Sequence, residues 1–182
     1  EKLGLMGSAE EYRKLAGATS EGIRNLMWDP SDGLYYDIYE EGHAKIKVKT
    51  PAAFSTLYAG IASRDEAGKL VQHLMRSSEF WTPFPLPTVS ADDPAYDPRG
   101  YWRGRSWINQ VWLTYWGLRK YGYAEEARAL AERVLANMAK GPNCNENYDS
   151  QTGEPLGAQD FGWSTLMLTI MKDIYGQAPV DP

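Results

Sequence analysis

The chain has 182 residues, 43% of them hydrophobic, and a formal charge of -5. That length and apolar content suit one domain with a real core and exclude a disordered chain. The acidic balance, with no basic cluster, excludes a nucleic-acid partner, and with no apolar run of about 18 residues no membrane span is expected.

In chain order, Ser8 is placed to cap a helix over Ala9–Met27, with Glu10 and Glu11 in its first turn. Tyr12, Leu15, Ala16, Ile23, Leu26 and Met27 form its apolar stripe. Trp28 to Gly33 reads as a turn, and Leu34–Tyr39 with Ala44–Val48 as a short hairpin about Glu41-Gly42. Thr50-Pro51 starts a helix over Ala52–Ala62. Ser63 caps the next, Arg64–Met75, and the tight link between the two predicts an αα-hairpin. A Pro- and aromatic-rich loop, Ser77–Gly104, leads to an apolar helix over Ser106–Lys120. After the break at Tyr121-Gly122 comes an amphipathic helix, Ala124–Lys140. A further long loop, Gly141–Asp160, precedes an apolar helix over Trp163–Tyr175.

Long loops thus follow the first, third and fifth helices, and tight turns the second and fourth. Successive connections in an up-down array alternate between its ends, so all three long loops emerge at one end. Amphipathic outer helices alternate with more apolar inner ones. The fold class read from this is all-α, an array of αα-hairpins in two layers, as a single domain over residues 1–182.

Aromatic residues are unusually frequent, at 13% with 7 Trp and 12 Tyr. Many fall in polar, Gly- and Pro-rich stretches, where a flat ring beside Asp, Asn and Arg suits the C–H face of a sugar as well as it suits a core. In the first loop, Tyr36 and Asp37 are either turn and core residues or ligands for sugar hydroxyls. The second ends in Tyr101-Trp102-Arg103-Gly104-Arg105-Ser106-Trp107, two rings and a guanidinium at a helix start, with Gly104 allowing close backbone approach. Arg103 is suited to orient a carboxylate, or to make a structural salt bridge, a reading that weighs more for Arg105. Asp92-Asp93 suggests either a calcium ligand pair or, more commonly, a capped turn before Pro94. His43 and His73 lack metal-ligand spacing, so no metal or other cofactor is expected. Cys144 is the only cysteine, which leaves the compartment open.

The third loop holds four acids, Glu146, Asp149, Glu154 and Asp160, among which spacing alone does not choose. Glu146-Asn147-Tyr148 with Thr152-Gly153-Glu154, Phe161-Gly162-Trp163-Ser164 and Tyr101–Trp107 together resemble glycoside hydrolase family 63, and more distantly the trehalases of family 37. The likeness runs from Trp28 to Tyr175. It implies an (α/α)6 barrel and inverting hydrolysis of α-glycosidic bonds. By position Glu146 matches the family's general base, while Tyr36, Tyr101, Trp102, Arg103, Trp107, Tyr148 and Trp163 match its sugar-pocket regions.

Inversion needs a second carboxyl roughly 6.5–9.5 Å from the first. In the family this is an Asp in a Gly- and Ser-rich motif earlier in the barrel, and nothing here matches it. The chain offers about six helices where a full ring needs about twelve. The expectation is therefore half of a barrel, the C-terminal half of a larger catalytic domain, whose apolar inner faces call for a homo-oligomer or a complementary half. The substrate expected is a carbohydrate, an α-glucoside or α-mannoside. The alternative reading is a non-catalytic sugar-binding or structural remnant, and a third is a helical scaffold for protein partners.

Overall fold

A computed structural model describes residues 2, 4–141 and 143–176. Six α-helices occur among them: α1 (Met6–Met27), α2 (Ala52–Ala59), α3 (Arg64–Leu74), α4 (Ile108–Tyr121), α5 (Ala124–Met138) and α6 (Met167–Tyr175). Four two-residue strands complete the framework: β1 (Trp28–Asp29) pairs antiparallel with β2 (Leu34–Tyr35), and β3 (Asn147–Tyr148) with β4 (Pro155–Leu156). None of the described helices is long and apolar enough to cross a membrane.

The tight turns follow directly from sequence. Gly60 and Gly122 end α2 and α4 in left-handed conformations, at φ 74° and 89°, which glycine adopts without a Cβ penalty. Ser63 and Glu66 form a reciprocal capping box at the start of α3, a feature worth about 1 kcal/mol. α4 is central, packing on α2, α5 and α6. A methyl group at Gly117 would lie 2.7 Å from Leu57 Cβ and 2.8 Å from Tyr58 N, so this glycine sets how closely α4 approaches α2. Around the contact the core gathers Phe54, Leu57, Leu70, Phe80, Ile108, Val111, Leu118 and Leu130, all fully buried. Phe54 meets Phe80 edge to face at 5.0 Å, adding about 0.5–1.5 kcal/mol to their burial.

Several boundaries depart from the sequence reading. α1 begins at Met6 behind Leu5, which makes no side-chain cap, and Ser8 lies inside the helix. The left-handed Gly4 is the break that precedes it. No residue of α1 is buried; its stripe docks only at its C-terminal end, through Ile23 and Met27, while Tyr12 and Leu15 face solvent. The hairpin expected over residues 34–48 reduces to one bridge between Ile38 and Lys45, because Leu34 and Tyr35 pair back across the turn with β1. The helix expected from Ser106 starts two residues later. Ser106 is held extended, its N–H donating to the Tyr148 carbonyl (2.8 Å) and its carbonyl accepting from the Tyr148 N–H (3.0 Å). The last helix opens with a 3₁₀ turn over Gly162–Leu166.

The three long connections meet at one end, as their alternation required. The Ser90 N–H donates to the Lys49 carbonyl (2.9 Å), joining the first loop to the second, and the Phe84 N–H donates to the Ser150 carbonyl (2.9 Å), joining the second to the third. Beneath them, buried Glu79 lies 2.5 Å from His73 Nδ1, 3.0 Å from Arg76 and 3.5 Å from Lys49, while His73 Nε2 donates to the Asp32 carbonyl at 2.8 Å. His73 thus packs α3 against the first loop. Asp92 pairs with Lys49, and Asp93 accepts the N–H groups of Ala95 (2.9 Å) and Lys49 (3.2 Å), the capped-turn arrangement. Among the described residues no group of three or more His, Cys, Asp or Glu is placed to hold a metal.

Candidate active site

Glu146 sits at the mouth of the third loop, one residue before β3. Its Oε1 accepts a short hydrogen bond from the Tyr101 hydroxyl, and its Oε2 accepts from the Ala158 N–H at 3.1 Å. The backbone holds the same pairing, since the Glu146 N–H donates to the Ala158 carbonyl at 2.8 Å. Gly157 makes this possible. At φ 71° it turns the chain, and a methyl group there would collide with Oε2 and lie 2.8 Å from Glu146 Cβ. The Tyr101 bond, then the Ala158 amide, then the positive charge of Arg105 hold the Glu146 carboxyl below its ordinary value of 4.5. The same bond pushes the Tyr101 hydroxyl up.

Two of the other three acids of this loop have structural partners. Asp149 is buried and accepts the N–H groups of Gln151 (2.8 Å) and Thr152 (3.0 Å); Glu154 pairs with Arg99 at 3.1 Å. Asp160 is exposed in a left-handed conformation, φ 53°.

Beside Glu146 stands an aromatic cluster. Trp107, 1% exposed, caps the start of α4 and donates its indole N–H to the Tyr101 carbonyl at 3.2 Å. Trp102 stacks on it at 4.1 Å and 6°, Tyr101 meets it edge to face at 5.0 Å, and Trp163 tilts against it at 5.8 Å. Tyr101, Trp102 and Trp163 remain 49%, 46% and 44% exposed, so the cluster offers flat apolar faces to the loop end. Trp102 also borders an open pocket with Thr50, Thr88 and Gln110. Gly104 tightens the cluster's base: a methyl there would collide with the Asp97 carbonyl.

The remaining expected site residues are placed elsewhere. Tyr148, 2% exposed, stacks on Phe84 at 4.5 Å within the core, its hydroxyl accepting the Asn145 N–H at 3.1 Å. Tyr36 is buried, donating to Asp32 at 3.1 Å under the Lys47 ammonium, and exposed Asp37 borders a separate, mainly apolar pocket between α1 and α2. Arg103 pairs with Asp97 at 3.1 Å and not with Glu146. The arginine that acts on Glu146 is Arg105. The sequence reading does not single out Gly157 or Ala158 and favours a structural salt bridge for Arg105; a glycine between an apolar strand residue and a small one, eleven residues past a loop glutamate, is the available signal.

Residues 1–164 match the mannosylglycerate hydrolase MGH1-like glycoside hydrolase domain. Mannosylglycerate hydrolase of Thermus thermophilus is 36% identical over 141 residues, which are 78% of this chain and 34% of that protein. A crystal structure of family 63 mannosylglycerate hydrolase from the same species, in complex with glucose, superposes with a TM-score of 0.75 at 34% identity, over 82% of this chain and 38% of that one. Neutral trehalase from Saccharomyces cerevisiae shares the fold, with a TM-score of 0.71 at 24% identity over 87% of this chain and 30% of that one. The chain spans little more than a third of the mannosylglycerate hydrolase it matches, and the hairpin array is a segment of the six-hairpin barrel of these proteins.

Proposed function

The chain belongs to the mannosylglycerate hydrolase MGH1-like glycoside hydrolase family, and from that premise we propose that it supplies the water-activating side of an inverting α-glycosidase. The observation that carries this reading is the setting of Glu146: an ionised carboxylate with both oxygens held, beside half-exposed tryptophans at the loop end. A general base needs such a fixed orientation and a free proton site. In the reaction Glu146 takes a proton from water as the water oxygen bonds to the anomeric carbon. The glycosidic C–O bond breaks on the opposite face, and a second carboxyl protonates the leaving oxygen.

That second carboxyl comes from the complementary half of the barrel. The solvent-facing stripe of α1, with Tyr12 and Leu15, supports such a partner surface, since exposed apolar patches of this kind mark interaction sites. The substrate is an α-mannoside or α-glucoside of a small polyol acid such as glycerate. The name of the Thermus relative and the glucose in its crystal structure support that class. Proton NMR of the sugar as it is released from α-mannosylglycerate tests the mechanism. Inversion delivers the β-anomer first; initial release of the α-anomer would overturn it.

A further inference from the structure

We propose that Arg105 is a positioning residue for Glu146: its guanidinium fixes Tyr101, which holds the carboxylate, and Asn147, which borders it, and adds its positive charge nearby. The functional importance of that role rests on the reading of Glu146 as the base; the geometry does not.

Arg105 is anchored before it reaches the site. Its carbonyl accepts from both the N–H and the hydroxyl of Thr88, each at 3.1 Å. Its Nε and Nη2 donate to the Arg99 carbonyl at 3.2 and 3.0 Å, and its Nη1 donates to Asn147 Oδ1 at 3.2 Å. The guanidinium carbon lies 5.6 Å from the Tyr101 ring centroid. Such a planar fork can engage a carbonyl, an amide and a ring at once, which an ammonium cannot. No carboxylate lies within ion-pairing distance of Arg105 among the described residues, so a structural salt bridge does not account for it.

Asn147 carries the effect to Glu146. It is fully buried, and because Arg105 is a donor, the amide oxygen must face it. The amide nitrogen therefore turns to the other side, where it has no partner. A methyl group at Gly157 would meet that nitrogen at 3.0 Å and collide with Glu146 Oε2, so amide and carboxylate border one small space. Arg105 thus holds the tyrosine on one carboxylate oxygen and orients the amide beside the other.

The groups that titrate or carry charge against Glu146 are the Tyr101 hydroxyl and Arg105. The test is a pH titration of the Glu146 side-chain carboxyl by NMR in the ¹³C-glutamate-labelled chain, its signal identified by its absence in Glu146→Gln. The midpoint should rise in the order wild type, Arg105→Lys, Arg105→Gln, because lysine keeps the charge and loses the fork. Arg99→Gln, which removes a side chain paired with Glu154 and keeps the carbonyl, should titrate as wild type. An unchanged midpoint in Arg105→Gln, or any other order, overturns the proposal. If Arg105→Gln does not fold, Arg105→Lys decides alone: a wild-type midpoint there overturns it. The readout needs no turnover, so the expected order together with undiminished turnover of Glu146→Gln in the completed barrel would defeat the catalytic reading and leave the positioning role standing.

Discussion

Tyr101 and Glu146, 45 residues apart in the chain, share a hydrogen bond that joins the loop before α4 to the loop before α6. The hydroxyl donates to Oε1 while the Ala158 amide holds Oε2, so the carboxylate is clamped from two loops of different origin. A base on a flexible loop would lose much of its rate to misorientation; here the third loop is tied by Tyr101 to the rigid start of a central helix.

Tyr101→Phe should raise the midpoint of Glu146, because it removes the largest influence that lowers it. A carboxyl whose folded value is depressed contributes stability that is present above its unfolded value, ordinarily 4.5, and lost as pH falls through the folded value. The Phe variant should therefore lose less stability than wild type between pH 4.5 and the folded midpoint. Urea denaturation across that window measures the difference.

Gly157→Ala should displace the Glu146 carboxylate without unfolding the chain. The methyl has no room beside Oε2, and φ of 71° disfavours any L side chain, so about 1–2 kcal/mol of strain is expected. The Ala158 amide signal, which should follow the Glu146 titration in wild type, should become insensitive to it.

Gly117→Ala should weaken the contact of α2 with α4. The backbone of Leu57 and Tyr58 stands in the way of the methyl, and overpacking a core of this kind costs about 1–3 kcal/mol. Denaturant unfolding should show a lower midpoint with an unchanged slope.

Glu79→Ala should cost more, about 3–5 kcal/mol, since it leaves Lys49, Arg76 and His73 beside a space that held their shared carboxylate. Thermal unfolding measures it. The double variant Glu79→Ala with His73→Phe should recover part of the loss.

The hairpin array was legible because its signals are local. Gly60, Ser63 with Glu66, and Gly122 punctuate the helices through their own backbone chemistry. The alternation of long and short links then placed the three loops together. What stayed hidden is long-range. Nothing in the sequence shows that Ser106 pairs with Tyr148 and shortens α4, or that Tyr36 and Tyr148 turn inward while Tyr101 turns out. Arg103 was the natural partner for an acid by its place between Trp102 and Gly104, yet Asp97 lies within its reach and takes it. Spacing alone does not set Glu146 apart from Asp149, Glu154 and Asp160; the family resemblance does so in sequence, and the partners of Asp149 and Glu154 do so in space.

The central claim, that Glu146 activates the attacking water, is tested most directly by the turnover of Glu146→Gln on α-mannosylglycerate beside wild type, each measured in the completed barrel that carries the second carboxyl. Loss of a general base costs about 10²–10⁴-fold in kcat. The amide should produce a loss of that size with KM little changed, since it keeps the shape of the side chain but cannot take the proton. Turnover equal to wild type would contradict the role assigned to Glu146.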